Sequence, residues 1–380
     1  MIRPTRRTAT DADFSRRRLA QLAVLGLAAG AAPAALPGSA SAAASASASA
    51  LASAADRSSA KAPSASGAHY GRARRLAGDD PVLRALVTAL TPGSGLPPLP
   101  AAPPVKLFDN LVLLSAGWVS AMAVLTDDGI VLIDALTSPA DAEGVIVPGL
   151  RAVGADPAAI RHVVVTHGHA DHFGGAQTLA DRYGARVHMS ATDWDLLART
   201  RPADAPVRDL DIADGAQLTL GGTTIELHHT PGHTAGTMSP VIPVRAGRRH
   251  HSAMLWGGLN PPSTVAELRT FLTSVQSFRA VMRRANVEVE LSNHPNDHGL
   301  ERAEQLRHQP PGAANPFLLG GPRTQRYMAV MDAMLRGRIA DAEEAEAAQV
   351  ADAAQAADTT GTGAGTRGAP TAAAPHACCR

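Results

Sequence analysis

Thiols are almost absent. The only two cysteines among the 380 residues, Cys378 and Cys379, sit side by side at the extreme C-terminus. Neither a disulfide framework nor a thiolate ligand in the core can be built from that pair, so any metal held by the core must be held by His and carboxylates. Aromatic residues are scarce at 3%, and charge is balanced at +1, with 35 Lys+Arg against 34 Asp+Glu. The stacking surface and the basic footprint that nucleic-acid binders carry are both missing, which argues against nucleic acid as a partner. There is no run of 18 strongly apolar residues, so no stable membrane span is expected. What the chain has in quantity is apolar side chains, 45% of the total and many of them Ala. That suffices for one large domain or two modest ones.

The N-terminal stretch reads as an address. Arg3, Arg6 and Arg7 precede Ser15-Arg16-Arg17-Arg18-Leu19, and residues 22–32 form an uncharged Ala- and Leu-rich run of signal-peptide length. Ala40-Ser41-Ala42 then offers small residues where a signal peptidase reads, so cleavage is expected after Ala42. The pattern resembles a twin-arginine export signal, with a general secretory signal as the alternative. It implies recognition by the export machinery and a secreted or periplasmic destination. Without the six Arg and two Asp of residues 1–42, the remainder carries 29 basic and 32 acidic residues, a net charge of −3. The mild basicity therefore belongs to the leader.

Residues 43–104 read as an Ala/Ser/Pro-rich linker with one short helix, capped by Asp80-Pro81 and ended by Pro92-Gly93. The main folded domain is expected over 105–339, and an Ala/Glu-rich helix extension with a disordered tail over 340–380. Within the domain, strands are expected at Leu111–Leu114, Val119–Leu125, Ile130–Ile133, Arg161–Thr166, Arg186–Met189, Gln217–Leu220, Thr223–Leu227, Ser252–Trp256 and Val287–Leu291. Helices are expected from Ser138 toward Val153 with an interruption at Pro148, over Gln177–Tyr183, after Ser190, over Thr264–Arg284 and from about Pro322. Strands followed by helices occur twice, which predicts an α/β protein of two sheets with helices on the outer faces.

Chemistry concentrates in Thr166-His167-Gly168-His169-Ala170-Asp171-His172-Phe173-Gly174-Gly175, directly after a Val-rich strand. Three imidazoles and a carboxylate share one short loop, and Gly168 and Ala170 let it turn tightly. In a near-extended segment residues two apart point the same way, so His167 and His169 can meet one ion while Asp171 and His172 face a second.

This motif, the strand ending in Asp134, and the downstream Thr230-Pro231-Gly232-His233-Thr234-Ala235-Gly236 resemble the metallo-β-lactamase fold superfamily. The resemblance covers roughly residues 105–339 and implies an αββα sandwich. Leu291-Ser292-Asn293-His294-Pro295 is similar to the last ligand segment of the β-lactamase subclass with a three-His first site and an Asp-His-His second site. Carried over, that pattern implies two Zn2+ ions: one on His167, His169 and His233, the other on Asp171, His172 and His294. Thioester hydrolases and lactonases of the same fold place a bridging Asp where this chain reads Leu255-Trp256-Gly257-Gly258-Leu259-Asn260, without an acid. His228, His229 and His298 are rivals for the distant ligand places and read as surface imidazoles. His162 is expected to face solvent or a helix, and His376 with the two terminal cysteines forms no site.

The resemblance further implies a zinc-bound hydroxide as nucleophile, since zinc lowers the pKa of bound water to about 7. Asp171 would orient the attacking water and take its proton, and Asp134 would orient the motif loop. The implied activity is hydrolysis of a carbonyl–heteroatom bond in a small-molecule substrate. β-Lactam-type cyclic amides lead, an ester or lactone is the alternative, and a zinc-binding protein without catalysis is the reading from a different class. Trp118, Ser120, Trp256 and Asn260 are expected to line the pocket. The subclass relatives present serines to the substrate carboxylate near the positions of Gly258 and Asn260, and this chain offers no hydroxyl there.

Overall fold

Strand alternation sorts this chain's apolar residues into layers. The computed structural model describes residues 64–94, 99–295 and 298–360. The expected leader and cleavage position, the first part of the expected linker and the expected tail beyond 360 lie outside them. Strands β1 (Val105–Phe108), β2 (Leu111–Ser115), β3 (Ser120–Thr126), β4 (Gly129–Ile133), β5 (Ile160–Val164), β6 (Arg186–Ser190) and β7 (Leu210–Ile212) lie in sequence order in one sheet. Its first pairings are antiparallel and those from β4 to β7 are parallel. The second sheet has the order β12-β11-β10-β9-β8. It is built from β8 (Ala216–Leu220), β9 (Thr223–His229), β10 (Met238–Ala246), β11 (Arg249–Trp256) and β12 (Val287–Ser292), and β11 and β12 run parallel.

Alternate residues of each strand face opposite ways. Leu111, Leu113, Met122, Val124, Val131 and Ile133 meet Ile225, Leu227, Ile242, Val244, Leu255 and Leu291 between the sheets. Their neighbours Val112, Leu114, Ala121, Ala123, Ile130 and Leu132 point outward to a helical layer. That layer comprises α3 (Pro139–Asp141), a π-helical turn (Ala142–Ile146), α4 (Val147–Ala152), α5 (Ala170–Phe173), α6 (Ala176–Tyr183) and α7 (Ala191–Thr200). The π turn is how the helix passes Pro148, which supplies no N–H, so the expected interruption becomes a widened turn.

The outer face of the second sheet is covered by α1 (Ala65–Ala77), α2 (Pro81–Leu90), α8 (Val265–Arg284) and α10 (Gly321–Thr360). Leu268, Phe271, Val275, Phe278 and Met282 recur on one face of α8 and are buried. The short helix α9 (Gly299–His308) completes the set. The architecture is the expected αββα sandwich of two mixed sheets. No described helix is long and apolar enough to cross a membrane.

The N-terminal boundary differs from expectation. Helix α1 starts inside the stretch read as linker, and with α2 it joins the buried cluster against α8 and α10. Ala-rich sequence forms helix readily, and here small side chains allow close approach. Gly337 leaves room for the Tyr70 ring, whose hydroxyl donates to Asp341 at 2.5 Å. The Asp80 carboxylate caps α2, accepting from Val82 N–H at 3.1 Å, and also takes Arg323 and Arg326 from α10.

Candidate metal centre

The C-terminal ends of the parallel pairs β4/β5 and β11/β12 open on the same region, where the β9–β10 turn joins them. Asp134 follows β4, the His-rich loop follows β5, residues 257–260 follow β11, and His294 follows β12. One potential ligand atom from each of His167, His169 and His233 lies within 4.8 Å of the others, and the same holds for Asp171, His172 and His294. The groups adjoin, with the His167 and His172 rings 4.0 Å apart between centroids. The structure thus brings together all six side chains proposed from sequence, in the two sets proposed.

Each ring is aimed by a partner on its far side. His167 Nδ1 faces the Gly257 carbonyl at 2.7 Å, His233 Nδ1 the Asn260 carbonyl at 2.8 Å and His294 Nδ1 the Trp118 carbonyl at 3.0 Å. His172 Nδ1 faces Asp134 Oδ2 at 2.8 Å. An oxygen acceptor takes only an N–H, so these four rings carry a proton on Nδ1 and turn Nε2 inward, where His167, His233 and His294 present a lone pair. His169 is the exception, with Nδ1 directed at His233 Nε2, 3.0 Å away. In the second set, Asp171 Oδ2 stands 3.1 Å from His172 Nε2 and 3.3 Å from His294 Nε2.

Convergence of lone pairs on a buried point is unfavourable unless a cation or protons sit among them. His167 Nε2 and Asp171 Oδ1 are buried without a hydrogen-bond partner, as expected of donor atoms waiting for an ion. Burial, and then the neighbouring imidazoles, push His167 far below the usual histidine range. Burial also lowers His169, His233 to about 3 and His294 to about 4. These rings stay neutral at physiological pH, the form that donates a lone pair. His172 is opposite: burial lowers it, but Asp171 and Asp134 outweigh that and raise it to about 10. A proton on Nε2 then does part of what a cation would do. Burial pushes Asp171 up, and the His172 charge more than reverses this, leaving it well below the carboxylate range. Five imidazoles and one carboxylate, with no thiol, make a donor set suited to a pair of divalent transition ions.

Asp134 shapes the floor. It is fully buried and left-handed at φ 63°, and it accepts from Thr166 N–H at 2.8 Å, Thr166 Oγ–H at 3.0 Å and Asn293 Nδ2–H at 3.1 Å besides His172. Two residues with a part in this arrangement had no assigned role from sequence: Asn293, hidden beside His294, and Asp193, discussed below.

The expected pocket residues divide. Trp118 is 42% exposed and stacks on His294, with centroids 5.7 Å apart and ring planes at 22°. Asn260 is exposed beside His233. Ser120 and Trp256 are corrections: both are buried and line no opening. Ser120 donates its hydroxyl to Ser115 at 2.9 Å, and Trp256 stacks on Phe271 and gives its Nε1–H to the Gly258 carbonyl at 2.7 Å. Neither set includes His228, His229 or His298. His162 is half-buried and pairs with His188 at 2.9 Å rather than facing solvent or a helix.

Fold and site together define a metallo-β-lactamase-fold protein with two adjoining candidate metal-binding triads. Residues 116–245 match the family model described as the metallo-beta-lactamase superfamily. A hydroxyacylglutathione hydrolase of Acidiphilium cryptum (strain JF-5) is 38% identical over 102 residues, 27% of this chain and 37% of that protein. The chain thus spans little more than a third of that relative's length. Among solved structures, the FEZ-1 metallo-beta-lactamase of Legionella gormanii superposes with a TM-score of 0.57 at 18% identity, covering 65% of this chain and 99% of that one. The Rm3 metallo-beta-lactamase gives 0.55 at 25% identity, covering 64% and 95%.

Proposed function

We propose that the protein is an exported di-zinc hydrolase that cleaves a carbonyl–heteroatom bond, with β-lactam-type cyclic amides as the leading substrate class. One observation carries this reading: six donor side chains converge in two triads, four of them with the outer ring nitrogen already committed to an oxygen acceptor. His167, His169 and His233 would hold one zinc ion, and Asp171, His172 and His294 the other. Zinc bound there supplies Lewis acidity and makes water acidic enough to be a nucleophile near neutral pH.

The chain's own groups do the rest. Asp171, whose Oδ2 faces His172 and His294, would also orient the attacking water and take its proton. Asp134 fixes the ring of His172 and, through Thr166, the start of the motif loop. Trp118 offers an exposed aromatic face beside His294 for an apolar part of the substrate.

The ester or lactone reading also has an observation in its favour. A Cβ at Gly258 would stand 2.5 Å from His233 Cδ2, so a serine cannot occupy that place without moving a triad member, and Asn260 brings an amide and no hydroxyl. Supporting the lactam reading are the fold neighbours named metallo-beta-lactamases and the lack of an acid over 257–260.

The test is turnover of nitrocefin, an aryl ester and a lactone by zinc-loaded protein, with and without chelator, alongside elemental analysis. About two zinc equivalents and chelator-sensitive hydrolysis are expected, with activity abolished in a folded His167→Ala variant. Loss of every activity in zinc-loaded wild type would make this a binding protein. Full activity in His167→Ala would overturn the ligand assignment.

A further inference from the structure

Asp193 belongs to neither triad, yet it is fully buried in the first turn of α7. Its sequence context, an acid three residues after Ser190, is that of a helix-capping pair, and Ser190 Oγ does accept from Asp193 N–H at 3.2 Å. The carboxylate itself turns elsewhere. Its Oδ2 accepts Gly168 N–H at 2.8 Å and Thr234 Oγ–H at 2.7 Å, and its Oδ1 accepts Gly236 N–H at 3.0 Å.

Gly168 stands between His167 and His169, while Thr234 and Gly236 lie in the loop that carries His233. Two segments distant in sequence therefore meet on one carboxylate. Both glycines make the approach possible: a Cβ on Gly236 would lie 2.5 Å from Asp193 Cγ, and one on Gly168 would lie 3.3 Å from Asp193 Cβ and 2.9 Å from Leu197 Cδ1. The second triad is aimed by other groups, Asp134 behind His172 and the Trp118 carbonyl behind His294.

We propose that Asp193 is the positioning residue of the first triad, fixing the loop of His167 and His169 against the loop of His233 so that their nitrogens converge before an ion arrives. The proposal rests on the metal-site reading above. Asn at this position cannot replace it. With its oxygen toward Gly168 the amide NH2 confronts Gly236 N–H, and with its oxygen toward Gly236 it confronts Gly168 N–H. One loop is released either way.

The experiment is a zinc titration of metal-free protein against a chromophoric chelator, repeated with Co2+ by absorption. His233→Ala and His294→Ala serve as references for which equivalent belongs to which triad. In Asp193→Asn the first-triad equivalent should bind about ten- to hundredfold more weakly and the second should be unchanged, with unfolding of the metal-free chain still cooperative. Thr234→Val removes one donor at constant volume and should give a smaller loss in the same equivalent, which keeps the test usable if Asp193→Asn does not fold. Unchanged binding, or equal weakening of both equivalents, overturns the role of Asp193 and leaves the metal reading standing. Failure of wild type to take up two equivalents overturns the metal reading itself.

Discussion

Replacing Asp134 with Asn isolates what the buried carboxylate contributes. Asn tolerates the left-handed backbone at φ 63°, so the substitution adds no conformational strain, and its volume is nearly unchanged. The hydrogen bonding does change. Asp134 Oδ1 accepts Thr166 N–H, while Oδ2 accepts Thr166 Oγ–H, His172 Nδ1–H and Asn293 Nδ2–H. An amide supplies one oxygen and one NH2, so even its better orientation leaves the main-chain N–H of Thr166 facing another donor. Stranding one buried donor costs about 1–3 kcal/mol, and replacing a charge-assisted bond to His172 by a neutral one costs about 1 kcal/mol more. The expected destabilisation is therefore about 2–4 kcal/mol, read from urea unfolding of the metal-free protein so that no binding energy enters. In the same variant the second-triad zinc should bind about ten- to hundredfold more weakly, because the Nδ1 partner of His172 has lost its charge. A loss below about 0.5 kcal/mol together with unaltered zinc affinity would refute the reasoning.

Gly258→Ser should displace His233, since the new Cβ would stand 2.5 Å from its ring. The purified variant should retain one zinc equivalent, and retention of two would show that the loop yields. Asp80 gives a pH prediction remote from the centre. Burial raises its pKa, but Arg323 and the other partners outweigh this and hold it below the ordinary value. Its stabilisation is then fully present above the unfolded pKa of about 3.9 and lost as pH falls through the lower folded value. Asp80→Ala should cost about 2 kcal/mol at pH 7, and the gap from wild type should close in acid, as urea midpoints at neutral pH and below pH 3 would show.

The six triad side chains were legible because four share a single short loop and the other two sit in recognisable segments. Asp193 was not, because a capping pair accounts for it locally and nothing in the sequence reveals that its carboxylate points away from the helix. Trp256 misled for a related reason. A tryptophan beside the motif-bearing edge can face the site or support it from behind, and only the packing of Phe271 decides. Strand β10 escaped notice because Pro240 and Pro243 interrupt its pattern. It lies in the middle of its sheet, but it pairs with β9 only up to Val241 and with β11 only from Val241, so each proline falls where one side makes no ladder bond. Helix α1 was masked by composition, since Ala- and Ser-rich sequence serves a spacer and a closely packed helix equally well.

The pairing of α1 with α10 ties the opening of the described fold to its close: Tyr70 reaches Asp341, and Asp80 reaches Arg323 and Arg326. A nascent chain leaving the ribosome has neither partner for α1 and α2 until α10 emerges. Shortening α1 or α10 by a few turns should therefore harm the same layer, the one that covers the outer face of the second sheet.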